Sequence, residues 1–288
     1  MRCRTTLSSL VALVMFAGCG QGERSGSASQ PADSLTCPFD NDARPPNPSW
    51  PTLEESLPLQ YNDSEFVGVY IPAPLDNLEE LLRGAFPENP LHPYVVADGV
   101  GLFVVGFHHY KHIEGMQPYK ETTLEVLVAD SESGSTPLYV TDMIVSSKQA
   151  QWAGIQGWGY PKILGNTTCS RNRGQGMITC RTEADGKLIV KLEMNMDLPP
   201  VPPAAPFAYT LLSSKDGYLV RAPWEVSLVR PDAQLFLKQS PTEACASVEL
   251  GDHPIALKLK DKIASFATTC AWGEHLHEVL GAGVCTPL

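Results

Sequence analysis

Residues 157–165 read GWGYPKILG, and the lysine at their centre, Lys162, is the side chain with the most evident chemical potential in this 288-residue chain. A proline precedes it, isoleucine and leucine follow it, and Trp158 and Tyr160 stand close by. Burial disfavours the charged form of a lysine. A neutral amine attacks a carbonyl to form a Schiff base, and the iminium then withdraws electrons from the neighbouring carbon. That chemistry suits decarboxylation of a β-keto acid or enamine formation. The plain alternative is a turn lysine whose stem covers Trp158 or Tyr160 while its head reaches water. One lysine is not a motif by itself.

Other reactive side chains are less promising. His108, His109 and His112 fall in FHHYKH, and the spacing of the first and last would suit a helical metal site. The segment follows a strand pattern and precedes Gly115 and Pro118, so it reads as a loop cluster at a pocket mouth, with no metal. His275 and His277 read as surface residues. Ser146-Ser147 lacks the Gly-x-Ser-x-Gly elbow of a serine hydrolase, and no glycine loop suits a dinucleotide or ATP.

The elements that must position Lys162 are mostly strands. FVGVYI (66–71), VGLFVVGF (100–107), TTLEVLVA (122–129), PLYVTDMIV (137–145) and LIVKLEM (188–194) are short apolar or alternating runs. Asp185-Gly186 and Asp216-Gly217 are hairpin turn signals, the second joining YTLLS (209–213) to YLVRA (218–222). Helices are few. LDNLEELLRGAF (75–86) carries Leu78, Leu81, Leu82 and Phe86 on one stripe, capped by Asp76 or Asn77. SSKQAQWAGI (146–155) is expected to form a short helix before Lys162. Further helices are expected within 258–268 and over HLHEVL (275–280).

The bulk numbers fit such a chain. Hydrophobic residues make up 43%, charged residues 18%, and the formal net charge is -11. That balance suits a core-forming β-rich protein and disfavours a nucleic-acid partner. The first residues combine two early arginines with an apolar run from Leu10 to Ala17, which reads as a secretory signal peptide over 1–18. Phe16-Ala17-Gly18-Cys19 resembles a bacterial lipobox, in which Cys19 is lipidated; Phe16 stands where leucine is usual, and plain cleavage near Gly18 is the alternative. A polar tether spans 19–48, and one folded domain is expected over 49–288. The proline-dense LPPVPPAAP (198–206) reads as a connector across that domain. The expected location is the bacterial cell envelope, periplasmic or outer surface, with Cys19 as membrane anchor. Six further cysteines suit disulfides in an exported chain. Cys169 and Cys180 flank an expected hairpin and are expected to pair; the sequence leaves Cys37, Cys245, Cys270 and Cys285 open.

GIQGWGYPKILG (154–165) resembles the active-site segment of the acetoacetate decarboxylase family. Gly154, Pro161, Lys162, Leu164 and Gly165 fall on its pattern without a gap, and Lys162 falls on the Schiff-base lysine. YKETTLEVLV (119–128) resembles the family's Tyr-x-Glu and apolar strand, which places Glu121 on the active-site glutamate. Read alone, Glu121 opens a strand and could pair with Lys120 or a cross-strand cation. ASVELGDHPIALKLKDKIASF (246–266) resembles the family's closing strand, turn and helix. The departures are equally definite. Ile163 stands where the decarboxylases have a second lysine, Ile155 and Gln156 replace an Arg-Glu pair, and Asp63 lies near a family arginine. Burial by Trp158, Tyr160 and Ile163 would then replace a neighbouring charge, unless Lys120, Lys148 or Arg221 folds in.

The resemblance implies an α+β, β-dominated fold: a cone-like, mostly antiparallel β-barrel with a few flanking helices, often in homo-oligomers. It implies Lys162 as nucleophile and Glu121 as proton-transfer partner, in a pocket lined by Trp158, Tyr160, Gln156 and Tyr119, with no cofactor. The expected partner is a small carbonyl compound such as a β-keto acid. The rival reading is a barrel that has lost the chemistry and holds an apolar small molecule or lipid.

Overall fold

A computed structural model of the chain describes Cys37 and residues 45–85, 91–130, 136–200, 207–240 and 243–287. The expected signal peptide, Cys19 and most of the tether lie outside the described residues, as do Phe86 and residues 201–206 of the proline-dense run.

Seven strands close into a barrel. They are β1 (Leu59–Pro74), β3 (Val100–Ile113), β4 (Tyr119–Ala129), β5 (Leu138–Val145), β10 (Phe207–Lys215), β11 (Tyr218–Ser227) and β15 (Thr269–Leu280). The order is β15-β1-β3-β4-β5-β10-β11, and β11 pairs back onto β15. Every barrel pairing is antiparallel except β5 with β10. Short strands extend the edges: β2 (His92–Pro93), β6 (Lys162–Leu164), β12 (Gln234–Gln239) and β16 (Val284–Pro287). A second sheet of β7 (Asn166–Asn172), β8 (Met177–Ala184), β9 (Lys187–Asn195), β13 (Ala246–Leu250) and β14 (Phe266–Ala267) packs outside the barrel.

Strand alternation divides the apolar residues into two cores. On β3, Leu102, Val104 and Tyr110 face inward, where they meet residues from the other barrel strands. Phe103, Val105 and Phe107 face outward, against Ile178, Val190 and Leu192 of the second sheet. Two of the bulges bear on which residues face the interior. One lies in β5, where Leu124 opposes Asp142 but Glu125 opposes Val140, and Thr141 Oγ1 bonds back to Leu124 O at 2.9 Å. The other lies between Gly273 and Leu276, where His275 takes φ 55°. After it, Leu276, Glu278 and Leu280 face inward.

The helices flank the barrel and the second sheet. α1 spans Leu53–Ser56, α2 spans Leu75–Ala85 with Leu78, Leu81 and Leu82 buried, α3 spans Lys148–Trp158 and α4 spans Pro254–Leu259. Four sequence expectations are corrected. α2 begins at Leu75, so Asp76 lies in its first turn, while Asn77 Nδ2 donates to Lys262 O at 3.0 Å. HLHEVL is part of strand β15, its apolar spacing having imitated a helix. The helix sought in 258–268 lies at 254–259, capped by His253 with Pro254 in its first turn. FHHYKH lies within strand β3, so its histidines alternate between faces. His108 points into the barrel, and His109 lines a surface cleft with Glu65, Lys120 and Arg171.

Both Asp-Gly pairs form the expected turns, with both residues of each at positive φ. Cys169 and Cys180 sit directly opposite one another in the β7–β8 hairpin and form a disulfide. Cys37–Cys285 and Cys245–Cys270 are the other two.

Candidate active site

The nine residues GWGYPKILG end a helix and begin a strand. Ser147 caps the start of α3 by accepting from Ala150 N. Gly159 ends it in the left-handed region, at φ 66°, with its N–H on Ile155 O at 3.2 Å. Tyr160 N–H closes the turn on Gly154 O at 3.1 Å, and Pro161 cannot extend the helix. β6 then pairs in parallel with β5, Lys162 opposite Met143. Alternation sends Lys162 inward and Ile163 outward into the second core. Ile163 therefore does not cover the lysine, which corrects that part of the expectation.

Inside the barrel, Lys162 Nζ lies 2.7 Å from Glu121 Oε2, and both side chains are almost wholly buried. A carboxylate, rather than apolar burial alone, surrounds the amine. The rings of Tyr119 and Tyr160 each place their centroid 5.8 Å from Nζ. Tyr110 donates to Glu121 Oε1 at 3.4 Å. Gly154 makes space for the lysine stem: a Cβ there would stand 2.5 Å from Lys162 Cδ and 2.9 Å from Nζ.

The remaining candidates fall further away. Trp158 stacks on Tyr160 at 6.0 Å and donates to Gly281 O at 2.9 Å, one ring removed from the amine. Gln156 follows Gly154 by two residues, which turns it to the opposite side of α3; its carbonyl accepts from Lys215 Nζ at 3.3 Å. The cations considered as substitutes for the second lysine do not enter. Lys120 lines the outer cleft, Lys148 is exposed, and Arg221 lies 3.6 Å from Asp130. Asp63 meets Arg230 at 3.4 Å and His275 at 3.2 Å on the rim.

Two interior acids, Glu125 and Glu278, were not singled out from the sequence, and His108 was read as lying in a loop. Glu125 shares the inward face of β4 with Tyr119 and Glu121, and burial pushes its carboxyl up to about 8 with help from the Glu121 charge, against a lowering bond from Thr123. Glu278 accepts from Ser64 and, at 2.9 Å, from Trp224 Nε1. Burial lifts it to about 7, the two hydrogen bonds opposing and Glu121 adding to the rise. His108 opposes Glu121 across the β3–β4 pair, and burial depresses it to about 4 despite the Glu121 charge, Lys162 adding to the fall. The period-2 spacing of Tyr119, Glu121 and Glu125 was the available signal for the first. Reading HLHEVL as a helix concealed the second.

The fold is shared with solved structures. An acetoacetate decarboxylase from Legionella pneumophila subsp. pneumophila str. Philadelphia 1 superposes with a TM-score of 0.60 at 16% identity, over 86% of this chain and 94% of its own. Another acetoacetate decarboxylase gives 0.59 at 14% identity, over 84% and 92%. The enduracididine biosynthesis enzyme MppR, complexed with pyruvate, gives 0.56 at 17% identity, over 79% and 90%. At these identities the likeness is one of fold. No curated protein sequence matches the chain. The family model described as acetoacetate decarboxylase (ADC) matches residues 44–256, well over half of the sequence, and the chain belongs to that family.

Proposed function

We propose that the protein is a Schiff-base-forming enzyme acting on a small carbonyl compound, with Lys162 as nucleophile and Glu121 as its proton-transfer partner. The observation that carries this reading is the buried 2.7 Å contact between Nζ and Oε2. Glu121 takes a proton from the ammonium along that bond and leaves a neutral amine. The nitrogen lone pair attacks the carbonyl carbon, and the carbonyl electron pair moves to oxygen. A nitrogen proton passes to that oxygen, giving a carbinolamine. Glu121 then returns its proton to the hydroxyl, which leaves as water while the iminium forms. Pyruvate in the MppR complex is a carbonyl compound of the size the reading requires.

Incubation with acetoacetate, acetopyruvate and small aldehydes, followed by borohydride, is expected to leave a reduced adduct on the peptide containing Lys162. Its absence across the panel, with an endogenous ligand recovered by extraction, would establish the rival reading of a non-catalytic binding barrel. One observation favours that rival: Ile163 faces away from the site, so no second cation adjoins the amine on β6.

We propose as well, from the apolar leader and Cys19, that the protein is exported to the bacterial cell envelope and anchored there by lipid. Three disulfides accord with an oxidising compartment. Expressed in a bacterium, the wild type is expected to partition into detergent and C19A into the aqueous phase; equal partitioning overturns the anchor.

A further inference from the structure

The barrel interior contains more acid than the Lys162–Glu121 pair needs. Glu125 and Glu278 are both at least nine-tenths buried, and among the described residues only Lys162 supplies an inward ammonium. His108 is held neutral by burial. A substrate carboxylate would thus meet two further carboxyls and no free cation.

The walls around Glu278 are aromatic. Trp224, which donates to it, stacks on Tyr61 at 6.0 Å and on Tyr209 at 5.9 Å. Tyr110 lies 4.3 Å from Tyr61 and 6.5 Å from Trp224. Aromatic faces attract cations through their negative quadrupoles, most strongly where water is excluded. Polar atoms in this interior also lack a hydrogen-bond partner, among them His108 Nδ1 and Tyr160 Oη, each on a residue more than nine-tenths buried. Buried polar atoms need partners, and the protein supplies none to these two. His108 lies 5.7 Å from Trp224 and 5.4 Å from Tyr110, ring to ring.

We propose that this cluster of interior side chains is a cation-binding subsite and that the carbonyl compound delivered to Lys162 carries an ammonium-type group rather than a carboxylate, held by Glu278, Glu125 and the faces of Trp224, Tyr61, Tyr110 and Tyr209. The inference rests on the Schiff-base reading for its carbonyl and on the acidic and aromatic cluster alone for its charge. It separates this chain from β-keto acid chemistry, which needs a cation for the acid group. Glu278 lies beyond the residues matched by the family model, on the barrel's closing strand.

Two aldehydes of one shape test the charge: betaine aldehyde and 3,3-dimethylbutanal differ only by a quaternary nitrogen in place of a carbon. Borohydride trapping at Lys162 is expected to favour betaine aldehyde at least tenfold in the wild type, with acetoacetate below both, and E278Q to bring the ratio towards one. Equal trapping of the two aldehydes, or preference for acetoacetate, overturns the subsite while the Schiff-base reading stands. If none of the three is trapped, the Schiff-base reading falls, and tetramethylammonium titrated into the wild-type protein decides the subsite separately. Binding that W224A or E278Q weakens supports it, and no binding of tetramethylammonium overturns it.

Discussion

At the scale of single residues, the site depends on one amine held in one place. An ion pair this deeply buried is a weak source of stability, because desolvating both charges costs several kcal/mol that their attraction only partly returns. Lys162 and Glu121 are therefore better explained by what the proton between them can do. Gly154 is the residue that lets the pair meet. Its missing Cβ leaves room for Lys162 Cδ and Nζ, at 2.5 and 2.9 Å, while Tyr119 on β4 and Tyr160 in the turn before β6 flank the amine. In G154A the amine must move, since the backbone of α3 cannot. Displacement of a reacting atom by about 1 Å can cost about a hundredfold. The expected result is a fall of at least tenfold in borohydride trapping at Lys162. The thermal midpoint should change little, because alanine gains about 1 kcal/mol over glycine in a helix. Trapping at the wild-type rate in G154A would show that this space does not fix the amine.

Elements explain what the sequence revealed and what it concealed. The segment 157–165 was legible as a site because its own chemistry is local: a left-handed glycine, a ring, a proline and then a strand. The hairpins at Asp185-Gly186 and Asp216-Gly217 were legible for the same reason, as was the cross-strand pair Cys169–Cys180. The interior acids were not. Glu125 stands on the face of β4 that a single-strand reading assigns to water, because a polar residue alternating with apolar ones ordinarily points outward. Only closure of β11 onto β15 turns that face into an interior. Glu278 required more, since the bulge at His275 decides which residues of β15 face inward, and a positive φ at histidine has no sequence signature. Ile163 is the converse case. Its apolar character was clear, but its direction follows from the pairing of β6 with β5, which no local pattern announces. Element type was thus readable wherever turns and alternation fixed it. Facing was not, because it depends on ring closure and on bulges.

The whole molecule must hold buried acids inside a closed barrel. The Cys37–Cys285 disulfide joins residues 248 apart, and in the chain-entropy picture a loop of that length restrains the unfolded state by about 5 kcal/mol. Cys285 lies on β16, which pairs with β11 at the barrel seam, so the link secures the place where the ring closes. Against this, Glu125 and Glu278 are raised from an ordinary 4.5 to about 8 and about 7. Each therefore binds its proton more tightly folded than unfolded. Their contribution to stability is fully present below 4.5 and is lost as pH rises through 7 and 8, with a slope approaching 1.4 kcal/mol per pH unit for each, roughly. His108 acts in the opposite direction: lowered from 6.5 to about 4, it destabilises the fold as acid protonates it, and it is silent above 6.5. The charges of Glu121 and the rings of Tyr70, Tyr160 and Tyr209 surround Glu125, and all three phenols are raised above their ordinary range, so they add nothing before strong alkali. The window from about pH 6.5 to about pH 9 consequently isolates the two glutamates. Over that window the thermal midpoint of the wild type is expected to fall until about pH 8 and then level off. E125Q, neutral at every pH, should fall less and become the more stable protein at the alkaline end. Parallel curves for the two proteins in thermal melts would mean that Glu125 does not hold its proton in the fold and that the interior is less desolvated than its burial implies.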